Sequence, residues 1–257
     1  MKYIFIAALS CTFFFSSCTK EPTYDPTVKA ELSVEFDNIA GAEDLALNTG
    51  TYTNAASETF TVTKLKYYVS NFALTNVNGN VYTVPKDECY FLIDESDEST
   101  HEPILNVPEG EYKSISFVVG VDSLKSTAIA SERTGNLDIL TTAADMFWDA
   151  NQGYIFFKME GTHGTTPFEY NVGGYGGSIS PTANNLKTIT LDLSARGTPK
   201  VKSGKETNIH LFVDILKVLN GTTNISFATT TGINAPSAGI VTANNYSAMF
   251  KHDHTEN

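Results

Sequence analysis

VKAELSVEFD, residues 28–37, alternates without a break. Val28, Ala30, Leu32, Val34 and Phe36 fall on one side, and Lys29, Glu31, Ser33, Glu35 and Asp37 on the other. Successive side chains of a strand point to opposite faces, so this period of two specifies a half-buried β-strand with a charged outer face. The same signal recurs outward from it. FTVT (60–63) begins a second strand that runs on through LKYYVSNFAL (65–74), and Asn78-Gly79 is a tight-turn pair joining 72–74 to 81–84. CYFLID (89–94) is a short apolar run ended by the acidic stretch 94–98. Pro108-Glu109-Gly110 turns the chain into a strand over 112–121. YIFFKME (154–160) is apolar on both faces, the mark of a central strand. ITLDLS (189–194) alternates, as does NIHLFVDIL (208–216), where Ile209, Leu211, Val213 and Ile215 share a face and His210 falls between core positions.

Elsewhere the pattern is weaker. Residues 131–148 predict one short helix near 141–147, the five-residue stretch GGYGG (173–177) a loop, and 220–245, rich in Thr, Gly and Asn, an extended loop. The expected architecture is all-β: a single β-sandwich-like domain over 28–257, with about eight or more strands and one short helix. A chain of 257 residues with 41% hydrophobic content can build such a core. The formal charge of −12 argues against a nucleic-acid partner, because a phosphate backbone must be met by clustered Lys and Arg.

The N-terminus reads as an address. MKYIFIAALSCTFFFSSC (1–18) has one Lys, an apolar run and small residues before Cys18, the layout of a cleaved export signal. Ser16-Ser17-Cys18 resembles a bacterial lipobox, with Phe15 less usual at its place. Residues 1–17 are thus expected to be removed, Cys18 to carry a lipid, and 18–27, polar and with Pro22 and Pro26, to form a tether. Cys89 is then the one cysteine besides the anchor, so no intrachain disulfide supports the fold.

Catalytic patterns are absent: no Gly-x-Ser-x-Gly, no His-Glu-x-x-His and no phosphate-binding loop. Metal chemistry has better material. His252-Asp253-His254 offers two imidazoles and a carboxylate, a donor set for copper, nickel or zinc, and on a regular strand the two histidines would share a face. His163 sits between Gly161 and Gly164, alone, and His210 reads as structural. Trp148, the single tryptophan, is either part of a metal site or a core wall beside Phe147, Phe156 and Phe157.

Several blocks together resemble the MbnP-like family, in the lipoprotein form of Bacteroidetes-type bacteria. They are LNTGTYTNAASETFTVTKLKYYVSNFAL (47–74), YFLIDES (90–96), VPEGEYKSISFVVGVDSL (107–124), GNLD (135–138), MFWDANQGYIFFKMEG (146–161), FEYNVGGY (168–175) and NYSAMFKHDH (245–254), in that order. The resemblance implies a sandwich-like fold in the cell envelope, no catalytic activity, and copper held by histidines with a kynurenine made from tryptophan. The metal residues it points to are Trp148, His163, His252, Asp253 and His254. It further implies a di-haem peroxidase-type maturation enzyme and an outer-membrane importer as partners. This chain departs from the pattern at Asn38 and Asn171, where relatives carry histidine, at Ala150, where a second tryptophan is common, and at Glu256, where a closing histidine is often seen. The competing expectation is a metal-independent sandwich lipoprotein that binds a ligand or a protein.

Overall fold

The structure, a computed structural model, describes residues 23–257. The export signal and Cys18 lie outside the described residues. Among the described residues no helix is long and apolar enough to cross a membrane.

The opening alternation becomes strand Lys29–Ala40, with Ala30, Leu32, Val34, Phe36, Asn38 and Ala40 all turned inward. Val28 precedes the strand and is exposed. Lys29–Ala40 lies inside a five-stranded sheet. It runs parallel to Asn208–Asp214 and antiparallel to Ile104–Pro108 and Glu43–Asp44. Phe250–Glu256 pairs antiparallel with the far side of Asn208–Asp214 and forms an edge. The second sheet has eleven strands, with main path Lys187–Asp192, Gly110–Val119, Thr59–Asn76, Gly153–His163, Thr166–Gly173 and Gly232–Asn234. Thr59–Asn76 is 18 residues long and pairs with strands along both of its edges, which joins the sheet from end to end. The Asn78-Gly79 hairpin forms as the sequence predicts, with Gly79 at φ 90° and Ala73 opposite Thr83.

The two sheets meet through aromatic rings. Phe36 and Phe250 of the smaller sheet pack edge-on against Phe117 of the larger, at centroid distances of 5.6 and 5.0 Å, and Tyr67 lies 6.1 Å from Phe250. The all-β sandwich is therefore the observed fold.

Residues 122–149 form a third layer on the outer face of the larger sheet. They hold the short helix Ser123–Ser126, two 3-10 turns and strand Phe147–Asp149. Tyr68 and Tyr154 reach out from the sheet to donate to the carbonyls of Asn136 and Leu137, at 2.7 and 2.6 Å. The Arg133 guanidinium lies 4.3 Å from the Phe147 ring centroid. The helix expected near 141–147 does not form here. Asp138 takes the Leu140 N–H and the Thr141 hydroxyl, which holds the chain in turns.

Two further expectations give way to tertiary packing. The stretch 220–245 contains strand Gly232–Asn234 and most of helix Ile240–Tyr246. That helix is stabilised by burying Ala243 and Tyr246, whose ring lies 5.9 Å from Phe157. The described end of the tether, residues 23–27, docks on the domain. Tyr24 Oη donates to Glu111 at 3.1 Å, the Asp25 N–H to Glu109 at 3.1 Å, and Lys202 Nζ to the Thr23 carbonyl at 2.6 Å.

Candidate metal centre

The outward faces of three adjacent strands carry one row of side chains. Glu35 of Lys29–Ala40 is in register with His210 of Asn208–Asp214, and His210 with His254 of Phe250–Glu256. Ile209, Leu211 and Val213 are fully buried, so period two turns His210 away from the core and onto the outer face.

A β-bulge completes the site. His210 pairs with His254 and Leu211 with His252, leaving Asp253 as one extra residue between them. The extra residue breaks the alternation of the closing strand, so His252 and His254 point to opposite faces. His252 is buried, with Nε2 3.0 Å from Thr255 Oγ1, and burial holds its pKa below the usual imidazole value. His254 emerges beside His210, the two rings stacked with centroids 4.8 Å apart. The expectation that His252 and His254 share a face is thus corrected, and His210, read from the sequence as structural, lies on the outer face beside His254. Among the described residues, His210, Asp253 and His254 bring their ligand atoms within 4.8 Å of one another.

Asp253 Oδ2 is the hub, 3.6 Å from His210 Nδ1 and 2.8 Å from His254 Nδ1, which donates to it. That hydrogen bond lowers the Asp253 pKa and raises that of His254. On the other side of the ring, His210 Nε2 faces Asp37 Oδ2 at 3.4 Å and Glu35 Oε1 at 3.8 Å. His210 Nδ1 is buried with no hydrogen-bond partner. An unpartnered ring nitrogen beside a carboxylate and a second imidazole is a place where a borderline divalent cation can bind. Donor atoms around a tetrahedral ion with bonds of about 2.0 Å sit about 3.3 Å apart, so an ion here would draw in ligand atoms now up to 4.8 Å apart and displace the proton that His254 Nδ1 gives to Asp253.

The remaining residues singled out in the sequence lie elsewhere. Trp148 belongs to the third layer of the larger sheet, half-buried, with Nε1 donating to Asn234 Oδ1 at 3.1 Å. Asn171 shares that amide, its Nδ2 lying 3.4 Å from Asn234 Oδ1 and 2.5 Å from Glu169 Oε1. Asn38 points between the sheets, where it accepts from Tyr67 Oη and donates to Glu95. Asn171, opposite Lys158, faces outward. These positions do not converge, and their amides offer no soft donor to a monovalent copper ion. His163 ends its strand stacked 5.7 Å from Phe227, with Nδ1 donating to the Thr59 carbonyl at 2.7 Å. Sequence reasoning read His210 as structural and did not place it beside Asp253 and His254. Its signal was its outward parity, the same as that of Glu35 and Asp37.

No curated protein matches the chain. Among solved structures it is similar to MbnP from Methylosinus trichosporium, with a TM-score of 0.54 at 14% identity, covering 77% of this chain and 80% of that one. At that identity the likeness speaks for the fold. The MbnP family model matches residues 29–239, which take in the first strand, the larger sheet, the third layer and the smaller sheet except for Phe250–Glu256, and the chain accordingly belongs to the MbnP family.

Proposed function

We propose that this chain is a non-catalytic metal-binding protein of the bacterial cell envelope, anchored by a lipid on Cys18, that holds copper in its divalent state at His210, Asp253 and His254. The observation that carries the reading is His210 Nδ1: buried, unpartnered, and 3.6 Å from a carboxylate that already binds a second imidazole. Two imidazoles and a carboxylate are nitrogen and oxygen donors, which favour Cu(II) over the monovalent ion that sulfur ligands select. Trp148 is not needed for this set, so oxidation of its indole is no condition for binding. A di-haem oxidase and an outer-membrane importer stay as partners suggested by family likeness alone.

The test is a titration of the metal-free protein with Cu(II), followed by electron paramagnetic resonance and competition with chelators of graded strength. One ion per chain with nitrogen hyperfine structure is expected, lost in His210→Ala and His254→Ala and retained in His163→Ala and Trp148→Phe. A wild-type protein that yields its copper to a weak chelator, or a His210→Ala variant that binds as well as wild type, would overturn the proposal.

A further inference from the structure

A neutral imidazole carries one ring proton, so it can present a lone pair at only one of its two nitrogens. His210 sits between carboxylates on both sides: Asp253 faces Nδ1, while Asp37 and Glu35 face Nε2. The two sides are unequal. The Asp253 carboxylate is already taken up by the proton on His254 Nδ1. Asp37 Oδ2 is the nearest carboxylate oxygen to Nε2, at 3.4 Å, and Glu35 adds a second at 3.8 Å. Two carboxylates on one side draw the ring proton to that side, which empties Nδ1 toward Asp253 and His254.

We infer that Asp37 is a positioning residue: it holds His210 in the Nε2-protonated tautomer and so aims the Nδ1 lone pair at Asp253 and His254. The inference rests on the metal reading above for its purpose, though the tautomer itself needs no metal. Asp37 reaches this place because it is two residues beyond Glu35 on the outer face of the first strand. There it lies opposite Phe212, diagonal to His210. The Phe212 ring meets the His210 ring edge-on at 5.3 Å and limits its rotation, so the carboxylate acts on a ring that is already oriented. A carboxylate behind a ligating histidine makes the ring a more basic donor, and its loss weakens metal binding by about 10- to 100-fold.

The experiment reads the ring directly. Long-range proton–nitrogen correlation spectra of the metal-free protein, at mildly alkaline pH, distinguish a protonated Nε2 from a protonated Nδ1 on His210. The wild type should show protonated Nε2. Asp37→Asn, nearly isosteric and on a partly exposed side chain, should shift the signals toward the other tautomer and lower Cu(II) affinity by about 10- to 100-fold. Asp37→Glu should restore both, and an unchanged melting temperature in Asp37→Asn excludes a folding defect as the cause. A wild-type His210 protonated at Nδ1, or an Asp37→Asn variant with an unchanged tautomer, overturns the inference. A wild type that binds no copper defeats the metal reading alone, because the tautomer measurement decides this proposal separately.

Discussion

At the scale of single residues, the side chains that leave the alternation pattern carry most of the consequence. Glu58 is one. Its carboxylate accepts from Asn54 Nδ2, Ser226 Oγ and the N–H groups of Phe227 and Ala228, at 2.7 to 2.9 Å. Partial burial alone would raise its pKa, but these four donors outweigh that and hold it at about 2. The sign follows. A carboxylate whose folded pKa is depressed contributes stability that is complete above its unfolded value, near 4.5, and lost as the pH falls toward 2. Glu58→Gln keeps the shape and removes the charge, so it should destabilise the protein by about 1–3 kcal/mol at neutral pH. The difference from wild type should shrink between pH 4.5 and 2, read from chemical denaturation across that window. A constant difference at all pH values would mean that the charge is irrelevant and only the contacts matter.

At the scale of elements, the third layer is tied to the sheet by Asp145, which joins Asp94, 3.1 Å from Lys66 Nζ, and Glu160, 3.5 and 3.6 Å from Lys64 and Lys158 Nζ, in answering the lysines of the outer face. Lys66 and Lys158 are directly opposite across paired strands, and like charges in that position repel. Asp145, reaching down from the turns after Asp138, lies 3.3 Å from Lys66 Nζ, 3.4 Å from Lys64 Nζ and 3.9 Å from Lys158 Nζ. Burial opposes its charge, yet the three lysines keep its pKa below the ordinary carboxylate value. Asp145→Asn should leave the sandwich folded but speed amide exchange in residues 138–152, with a smaller change in the sandwich strands. Equal protection in variant and wild type would show that Tyr68, Tyr154 and Arg133 hold the layer without it. None of this was legible from periodicity, because the layer follows no period. The strands were, since Lys29–Ala40 and Gly153–His163 announce their burial residue by residue. The site was half legible. His254 and Asp253 stand together in the chain, whereas His210 joins them only through pairing between strands distant in sequence, and the bulge that separates His252 from them has no local signature.

At the scale of the whole molecule, the first described residues lie close to Asn257, just past the strand that carries Asp253 and His254. Tyr24 bonds to Glu111, Glu111 is in register with Lys200, and the Lys200 N–H donates to Asn257 Oδ1 at 2.6 Å. Asn257 lies three residues beyond His254, about 10 Å along an extended strand. With Cys18 lipidated as proposed, the five residues from it to Thr23 span at most about 18 Å, so the lipid holds this end of the fold near the bilayer. Copper bound at His210 and His254 would then be presented close to the membrane, where an integral membrane partner can receive it and a freely diffusing one meets steric competition from the lipid surface. The anchor and the centre share no residue, which makes them separable. Cys18→Ser should move the protein from the membrane fraction to the soluble fraction while leaving Cu(II) affinity within about twofold. His254→Ala should do the reverse, staying with the membrane and losing the metal. Fractionation of cells expressing each variant, with copper measured on the purified proteins, decides both. A Cys18→Ser protein that remains with the membrane would shift the anchoring role from the lipid to the folded domain.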